Sequence, residues 1–192
     1  MPVPTSGGGG DWVNCSEGVH YGIITSAKLE MNKTIKIGEP DERTGTMLKY
    51  YFKSMLPDPE TGDTGAKASG VCFIFTESKW ADKNYGYQLF LEAMGIGPQE
   101  YELPDGTKEK MLPDPIPEDY VGKKVRVVVA HRPWNDGSGN ISADIREISA
   151  WDGVHPDTGE EVKIEGQDDS FNFGKNAEEN NTPDMEDDDW GF

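Results

Sequence analysis

The chain has 192 residues and a formal net charge of −18, which allows one ordinary domain with tails and excludes a body that attracts nucleic acid through its overall charge. The charge is uneven, because residues 152–192 have 14 acids and 2 lysines, whereas residues 1–151 have 22 acids and 16 lysines and arginines. We therefore expect a folded body with an acidic appendage, and any nucleic-acid surface must be a local basic patch.

The first strand is predicted after a flexible lead-in. Residues 1–18 are rich in Gly and polar residues, and we expect a lead-in whose Trp12 packs against the body. From Val19 to Met31 the apolar residues alternate with polar ones, which indicates a half-buried strand. Its predicted apolar face consists of Tyr21, Ile23, Thr25, Ala27, Leu29 and Met31.

The second and third strands have different patterns. Met47 to Leu56 alternates, with Leu48, Tyr50 and Phe52 on one face and Lys49, Tyr51 and Lys53 on the other. Residues 57–70 are rich in Pro, Gly and Thr without periodicity, which indicates a loop. Residues 71–76 form a short continuous apolar run, which predicts a buried strand.

The second half of the body has one helix and two strands. A helix is predicted from Tyr87 to Met94, where apolar residues recur at helical spacing and Gly95 follows as a cap. Residues 97–117 are predicted to be a loop. Two strands, Lys123–Trp134 and Ile141–Trp151, are joined by six turn residues and predict a hairpin with Val125, Val127 and Val129 in the core.

These elements predict an all-β protein with one short helix. Five strands with the helix between the third and fourth are what a five-stranded Greek-key barrel of the OB type requires. We expect four segments: the flexible lead-in 1–18, the OB-type domain 19–152, a disordered linker 153–183 and an acidic tip 184–192. The stretch 166–183 is polar and Asn-rich, so it has too little apolar surface to offset its ordering entropy.

Residues 184–192 place five acids before two aromatic residues. Exposed rings are unfavourable in water unless a partner covers them, so this pattern predicts a short motif that docks on a basic, apolar pocket. It resembles the acidic tip of bacterial and phage single-stranded DNA-binding proteins, which implies recruitment of replication or recombination proteins. A disordered acidic tail with incidental rings is the alternative. The implied partner-binding residues are Asp187, Asp188, Asp189, Trp190 and Phe192.

The body resembles a family of tailed-phage single-stranded DNA-binding proteins over about residues 12–150. The resemblance lies in the Gly-aromatic opening of residues 18–22, the helix 89–95 and the Gly-Lys-Lys sequence of residues 122–124. It implies sequence-independent binding and protection of single-stranded DNA in phage replication and recombination. It also implies the host-cell cytoplasm as location, and self-association is left open.

Single-strand binding needs cations for phosphates and aromatic faces for bases. Side chains at i, i+2 and i+4 of a strand point the same way, so two strand faces and one loop supply both. Ordinary solvated strand faces are the alternative. The predicted single-stranded DNA-binding residues are Lys28, Lys33, Lys36, Lys49, Tyr51, Lys53, Lys79, Trp80, Lys83, Tyr85, Lys124, Arg126, Arg132 and Trp134.

Signatures of other functions are weak. Two Asp-Thr-Gly tripeptides, at 63–65 and 157–159, lie in turn-rich surroundings, and no phosphate loop or nucleophile motif is present. Cys15 and Cys72 do not have metal or redox spacing. We therefore expect no enzyme, no metal, no cofactor and no membrane partner. The competing hypotheses are a DNA mimic or anti-host inhibitor and an adaptor without DNA affinity.

Overall fold

The computed structural model describes residues 12–163, and five of its strands form a sheet that closes into a ring. These strands are β1 (Gly18–Ile35), β2 (Arg43–Ser54), β3 (Lys67–Ile74), β6 (Lys124–Pro133) and β7 (Ile141–Ala150). The remaining elements are helix α1 (Tyr85–Ala93), the short strands β4 (Gln99–Glu102) and β5 (Lys108–Met111), and two 3₁₀ helices at Ser78–Asn84 and Pro117–Tyr120. The prediction of a mostly β protein with one short α-helix is confirmed.

The ring has the strand order β1-β2-β3-β7-β6, and β6 pairs back with β1. All neighbours are antiparallel except β3 and β7, which are joined by a single parallel pair, Ser69 with Asp144. Two grooves lie on the outer surface beside this pair, because the strands share no further register there.

The core follows the predicted alternation in β2 and β6. Leu48, Tyr50 and Phe52 are buried, as are Val125, Val127 and Val129. Helix α1 covers one end of the core with Tyr87, Phe90 and Leu91, and the ring of Phe90 packs edge-on against Tyr120 at 4.9 Å. Gly95, with φ of +74°, ends the helix in the left-handed conformation that was expected of it.

The predicted apolar face of β1 is wrong in the first half of the strand. Ile24 pairs with Phe52 and Ser26 pairs with Tyr51, so Thr25 is the extra residue of a β-bulge. A bulge shifts the alternation by one residue. Before it, His20, Gly22 and Ile24 face the core, while after it the inward residues are Ala27 and Leu29. Thr25, predicted on the apolar face, is exposed in the bulge. Met31, predicted on the same face, is exposed beside a second shift of register between Glu30 and Lys33.

Three segments predicted as loop or linker have regular structure. β3 begins at Lys67, inside the predicted loop 57–70, and Val71 on its outer face is exposed. β4 and β5 form a hairpin within the predicted loop 97–117. Every residue of both strands is exposed, so their sequence shows no alternation of buried apolar residues. Residues 153–162 of the predicted linker form a small turn closed by a bridge between Val154 and Glu161.

Part of the predicted flexible lead-in is also held in place. The amide of Cys15 donates to Lys67 O at 2.9 Å, and the amide of Lys67 donates to Val13 O at 2.8 Å. We call residues 12–17 the strap, because they run alongside the start of β3 and pair with it through a parallel bridge between Asn14 and Lys67. Within the described part of the chain, no helix has the length and apolar character that a membrane span needs.

Candidate nucleic-acid interface

The first groove, with a volume of about 550 Å³, lies between the outer faces of β2 and β3 and the β6–β7 turn. It brings together two of the predicted basic and aromatic strand faces: Lys49 and Tyr51 come from β2, and Arg132 and Trp134 come from the end of β6. The strap closes a third side. The lining residues are Trp12, Asn14, Lys49, Tyr51, Ser69, Arg132, Trp134, Asn140, Ile141, Ser142, Ala143 and Asp144.

Tyr51 lies at the centre of a cluster of lysines. The Nζ atoms of Lys28 and Lys49 lie 5.8 and 5.3 Å from the centroid of its ring. Lys28 and Lys49 are register partners across β1 and β2, and Lys53 and Lys67 are register partners across β2 and β3. Like charges directly opposite each other destabilise a sheet, so an anion bound among them would relieve a repulsion that the free protein carries.

The β6 side of the groove contains a ring and an ion pair. Trp134 is 53 % exposed, so its face is accessible. Arg132 Nε donates to Asp144 Oδ2 at 2.6 Å, and Ser142 Oγ donates to Asp144 Oδ1 at 2.7 Å. Burial alone would raise the pKa of Asp144, but these two donors outweigh it and lower the pKa. Asp144 is the one acid among the described residues that line this groove.

The second groove, of about 610 Å³, lies on the other side of the Ser69–Asp144 pair, between β3, β7 and α1. It contains the predicted residues Lys83 and Tyr85 together with exposed apolar side chains such as Val71. Lys83 Nζ lies 2.6 Å from Asp82 Oδ2. Arg43 stacks between the rings of Phe75 and Trp80, at 5.1 and 5.4 Å from their centroids. Two of its three lining cations are therefore engaged within the protein, and the third, Arg146, is exposed.

Several predicted residues lie outside both grooves. Lys33 pairs with Glu30 at 2.7 Å, and Lys36 pairs with Asp41, near the far end of the β1–β2 hairpin. Lys79 pairs with Glu77 at 2.7 Å. The others are elsewhere on the ring: Lys53 is on the β2 face beside Lys67, Lys124 and Arg126 are opposite Ile23 and Tyr21 of β1, and Trp80 is packed on Arg43.

The structure does not bring all the predicted residues of β6 and its end into one groove. Arg132 and Trp134 line the first groove, whereas Lys124 and Arg126 lie towards the other end of β6. β6 is ten residues long, so at about 3.3 Å per residue its two ends are about 30 Å apart. The tip residues Asp187, Asp188, Asp189, Trp190 and Phe192 lie outside the described residues.

Two histidines hold the strap. His20 Nε2 is 2.8 Å from Ser16 O, and His131 Nε2 is 2.8 Å from Cys15 O. A carbonyl only accepts, so each Nε2 is the donor. Among residues 12–163, no group of three or more His, Cys, Asp or Glu side chains is placed to hold a metal ion.

Asp58 fixes the strap from the other side. It is buried and accepts hydrogen bonds from the amides of Ser16, Glu60 and Thr61 at 2.8 to 3.1 Å. Burial would raise the pKa of its carboxyl, but these amide donors outweigh burial and lower the pKa to about 2. The carboxylate is therefore charged at neutral pH.

The first groove includes residues that the sequence did not single out as binding residues. Trp12, Asn14 and Ser69 line it, and Lys67 Nζ lies 5.1 Å from the centroid of the Trp12 ring. The one local signal was an aromatic residue in a polar lead-in. No family model and no curated protein matches this chain.

Proposed function

We propose that this protein binds single-stranded DNA without sequence preference, in the first groove. The observation that carries the proposal is Tyr51, a half-buried ring in the groove wall. It is flanked by the register pair Lys28 and Lys49 and lies across the groove from Trp134 and Arg132. Rings offer stacking surfaces to any base, and lysines follow the phosphates.

The strand order supports an OB-type Greek-key barrel as the finer description of the fold. When the exposed β4–β5 hairpin is set aside, the ring order is first, second, third, fifth and fourth strand, with α1 between the third and fourth. OB-type barrels bind oligonucleotides across the face of their second and third strands. The first groove includes the outer faces of β2 and β3, so its position agrees with this mode of binding.

The geometry favours single strands over duplex. Stacking on Tyr51 or Trp134 requires bases whose faces are accessible, and in a duplex those faces are occupied by neighbouring base pairs. The phosphates would lie along the two lysine pairs, while the bases would lie over the polar groove floor of Ser69 and Ser142. Coating of this kind would keep strands unpaired and protected during phage replication and recombination.

The second part of the proposal concerns the acidic tip 184–192. Its acids would steer it towards basic pockets, and Trp190 and Phe192 would anchor it to replication or recombination proteins. The Phe192→Ala variant should lose capture of such partners from an infected-cell lysate and keep full DNA affinity, because it retains every aspartate. Undiminished capture would contradict a recruiting role for the tip.

One titration tests the main proposal. An oligothymidine and a duplex of equal length are titrated with the protein at two salt concentrations. We expect tight binding of the single strand, weak binding of the duplex and a steep loss with salt, because lysines displace condensed counterions. Equal affinity for both forms would contradict the proposal, and no affinity for either would favour a DNA mimic or an adaptor.

A further inference from the structure

We propose that the strap, residues 12–17, is part of the nucleic-acid site, with Trp12 as a third base-stacking ring and Asn14 as the residue that positions it. This inference rests on the proposed function and adds a ligand-contacting wall from a segment whose sequence predicts a flexible lead-in. It also assigns roles to the two histidines and to Asp58, which hold the strap in place.

The strap is fixed to four separate parts of the ring. Its backbone pairs with Lys67 at the start of β3. The amide of Ser16 donates to Asp58, and the carbonyls of Cys15 and Ser16 accept from His131 and His20. Cys15 is fully buried in the core. A segment with this many anchors presents its side chains in one geometry, as a binding wall requires.

Trp12 is placed as a binding residue and not as a core residue. Its ring is 52 % exposed, although large rings that only fill the core are buried. It meets the Tyr51 ring edge-on, with 6.1 Å between the ring centroids and an interplanar angle of 84°. Lys67 Nζ lies 5.1 Å from its ring centroid. Trp12 therefore combines a free aromatic face with a nearby cation, which are the two elements of a single-strand site.

Asn14 links the ring to the opposite wall. Trp12 Nε1 donates to Asn14 Oδ1 at 2.8 Å, and Asn14 Nδ2 donates to the carbonyl of Ile141 at 3.0 Å. Ile141 is the first residue of β7. The side chain of Asn14 thus spans the groove between the strap and the β6–β7 turn. Its hydrogen bond with Nε1 fixes the orientation of the Trp12 indole. Without Asn14, Trp12 must be ordered when the ligand binds.

The test compares four variants in oligothymidine titrations. We expect Trp12→Ala to weaken binding about tenfold, which is the size of one stacked base, and Trp12→Phe to weaken it less, because a ring remains. Asn14→Ala should weaken binding about threefold. Val13→Ala is the matched control, since Val13 belongs to the strap but does not line the groove, and it should bind like the wild type. Melting temperatures are measured for all four.

A double variant separates positioning from general destabilisation. If Asn14 acts through Trp12, then Asn14→Ala should have no further effect on binding in the Trp12→Ala background. Additive losses would overturn the positioning role. Wild-type binding by Trp12→Ala would overturn the stacking role, and if Trp134→Ala is impaired in the same titration, the proposed function survives. If the wild-type protein does not bind the oligothymidine, the proposed function itself fails.

Discussion

The two grooves beside the Ser69–Asp144 pair contain the same residue types in different charge arrangements. Lys49 lines the first groove, and its register partner Lys28 lies beside the groove, so that both lysines are close to the Tyr51 ring. The structure shows no ion pair for either lysine among residues 12–163. In the second groove, Lys83 is paired with Asp82, and Arg43 is stacked between two rings. Among residues 12–163, the first groove therefore has two lysines without an ion pair around one ring, whereas in the second groove Arg146 alone among the lining cations has neither an ion pair nor a stacked ring.

The difference shows that basic and aromatic composition alone does not define a nucleic-acid site. The sequence has a basic and aromatic cluster at Lys79, Trp80, Lys83 and Tyr85, but acids one or two residues away in the chain lie within ion-pair distance of both lysines. The β2 lysines instead face the lysines of neighbouring strands. Pairing register, which brings distant residues together, therefore decides which cations are available.

Charge reversal tests most strongly whether the lysines at the first groove, and not those near the second, contact the DNA. Lys28→Glu with Lys49→Glu should weaken single-strand binding on the order of 1,000-fold at low salt, because each reversal turns an attraction of about 1 kcal/mol into a repulsion of about the same size. The salt dependence should also fall, by about 0.7 in the logarithmic slope for each phosphate contact that is lost. Lys79→Glu with Lys83→Glu is the control of equal charge change. Equal losses in both variants would show that only net charge matters.

Removal of aromatic rings tests the difference between the two grooves without a change of charge. Tyr51→Ala and Trp134→Ala should each weaken binding by about 1–3 kcal/mol and change the melting temperature little, since neither ring is fully buried. Trp80→Ala is the control and should leave the affinity unchanged, because Trp80 does not line the first groove. Oligonucleotide titrations and thermal melts provide the measurements. If Tyr51→Ala unfolds the protein, its ring belongs to the core.

The parts of the fold that local pattern determines could be predicted from the sequence. β2 alternates without interruption, so the outward position of Lys49, Tyr51 and Lys53 follows from the burial of Leu48, Tyr50 and Phe52. In α1, the helically spaced apolar residues and Gly95 at its end lie within one short stretch of the sequence. In each case, one element contains the whole signal.

The parts that depend on distant residues could not be predicted. The bulge at Thr25 is visible only against the register of β2, and it turns His20, Gly22 and Ile24 towards the core, opposite to the predicted alternation. The strap has no periodicity, and its anchors Lys67, Asp58 and His131 are 42 to 116 residues away from their partners in the chain. No local window contains these contacts.

Asp58→Asn tests whether the strap is as firmly held as its contacts indicate. An Asn amide nitrogen at the position of Oδ2 cannot accept from the Ser16 amide, so we expect a loss of about 1–3 kcal/mol of folding stability. The pKa of Asp58 is about 2, below the ordinary value of about 3.9. Its contribution is therefore present above pH 4 and is lost as the pH falls from about 4 to 2.

Denaturant melts across this pH range provide the measurement. The wild-type protein should lose stability in acid more steeply than Asp58→Asn, which no longer has the titrating group. Asp63→Asn is the matched control, because Asp63 is in the same loop with an exposed side chain. A parallel decline of the wild type and Asp58→Asn would show that other carboxylates dominate acid unfolding.

Asp144→Asn should slightly increase the affinity for single strands. Asp144 places a negative charge in the first groove and neutralises Arg132 through a bond of 2.6 Å. Asp144→Asn removes the repulsion of phosphate and releases Arg132 to contact the ligand, whereas Asn can still accept from Arg132 or Ser142. Since exposed ion pairs contribute about 0–1 kcal/mol, we expect single-strand binding to tighten about two- to fivefold at low salt, with the gain fading as salt screens the charges.

The gain should depend on Arg132. In an Arg132→Ala background, Asp144→Asn should retain only the part of the gain that comes from lost repulsion. A double-variant cycle therefore measures how much of the gain in binding free energy comes from the release of Arg132. Lys83 offers the comparison across the Ser69–Asp144 pair. Asp82→Asn releases that lysine in the same way, but it should leave affinity unchanged if the strand occupies only the first groove. A gain from Asp82→Asn equal to that from Asp144→Asn would place the ligand in both grooves.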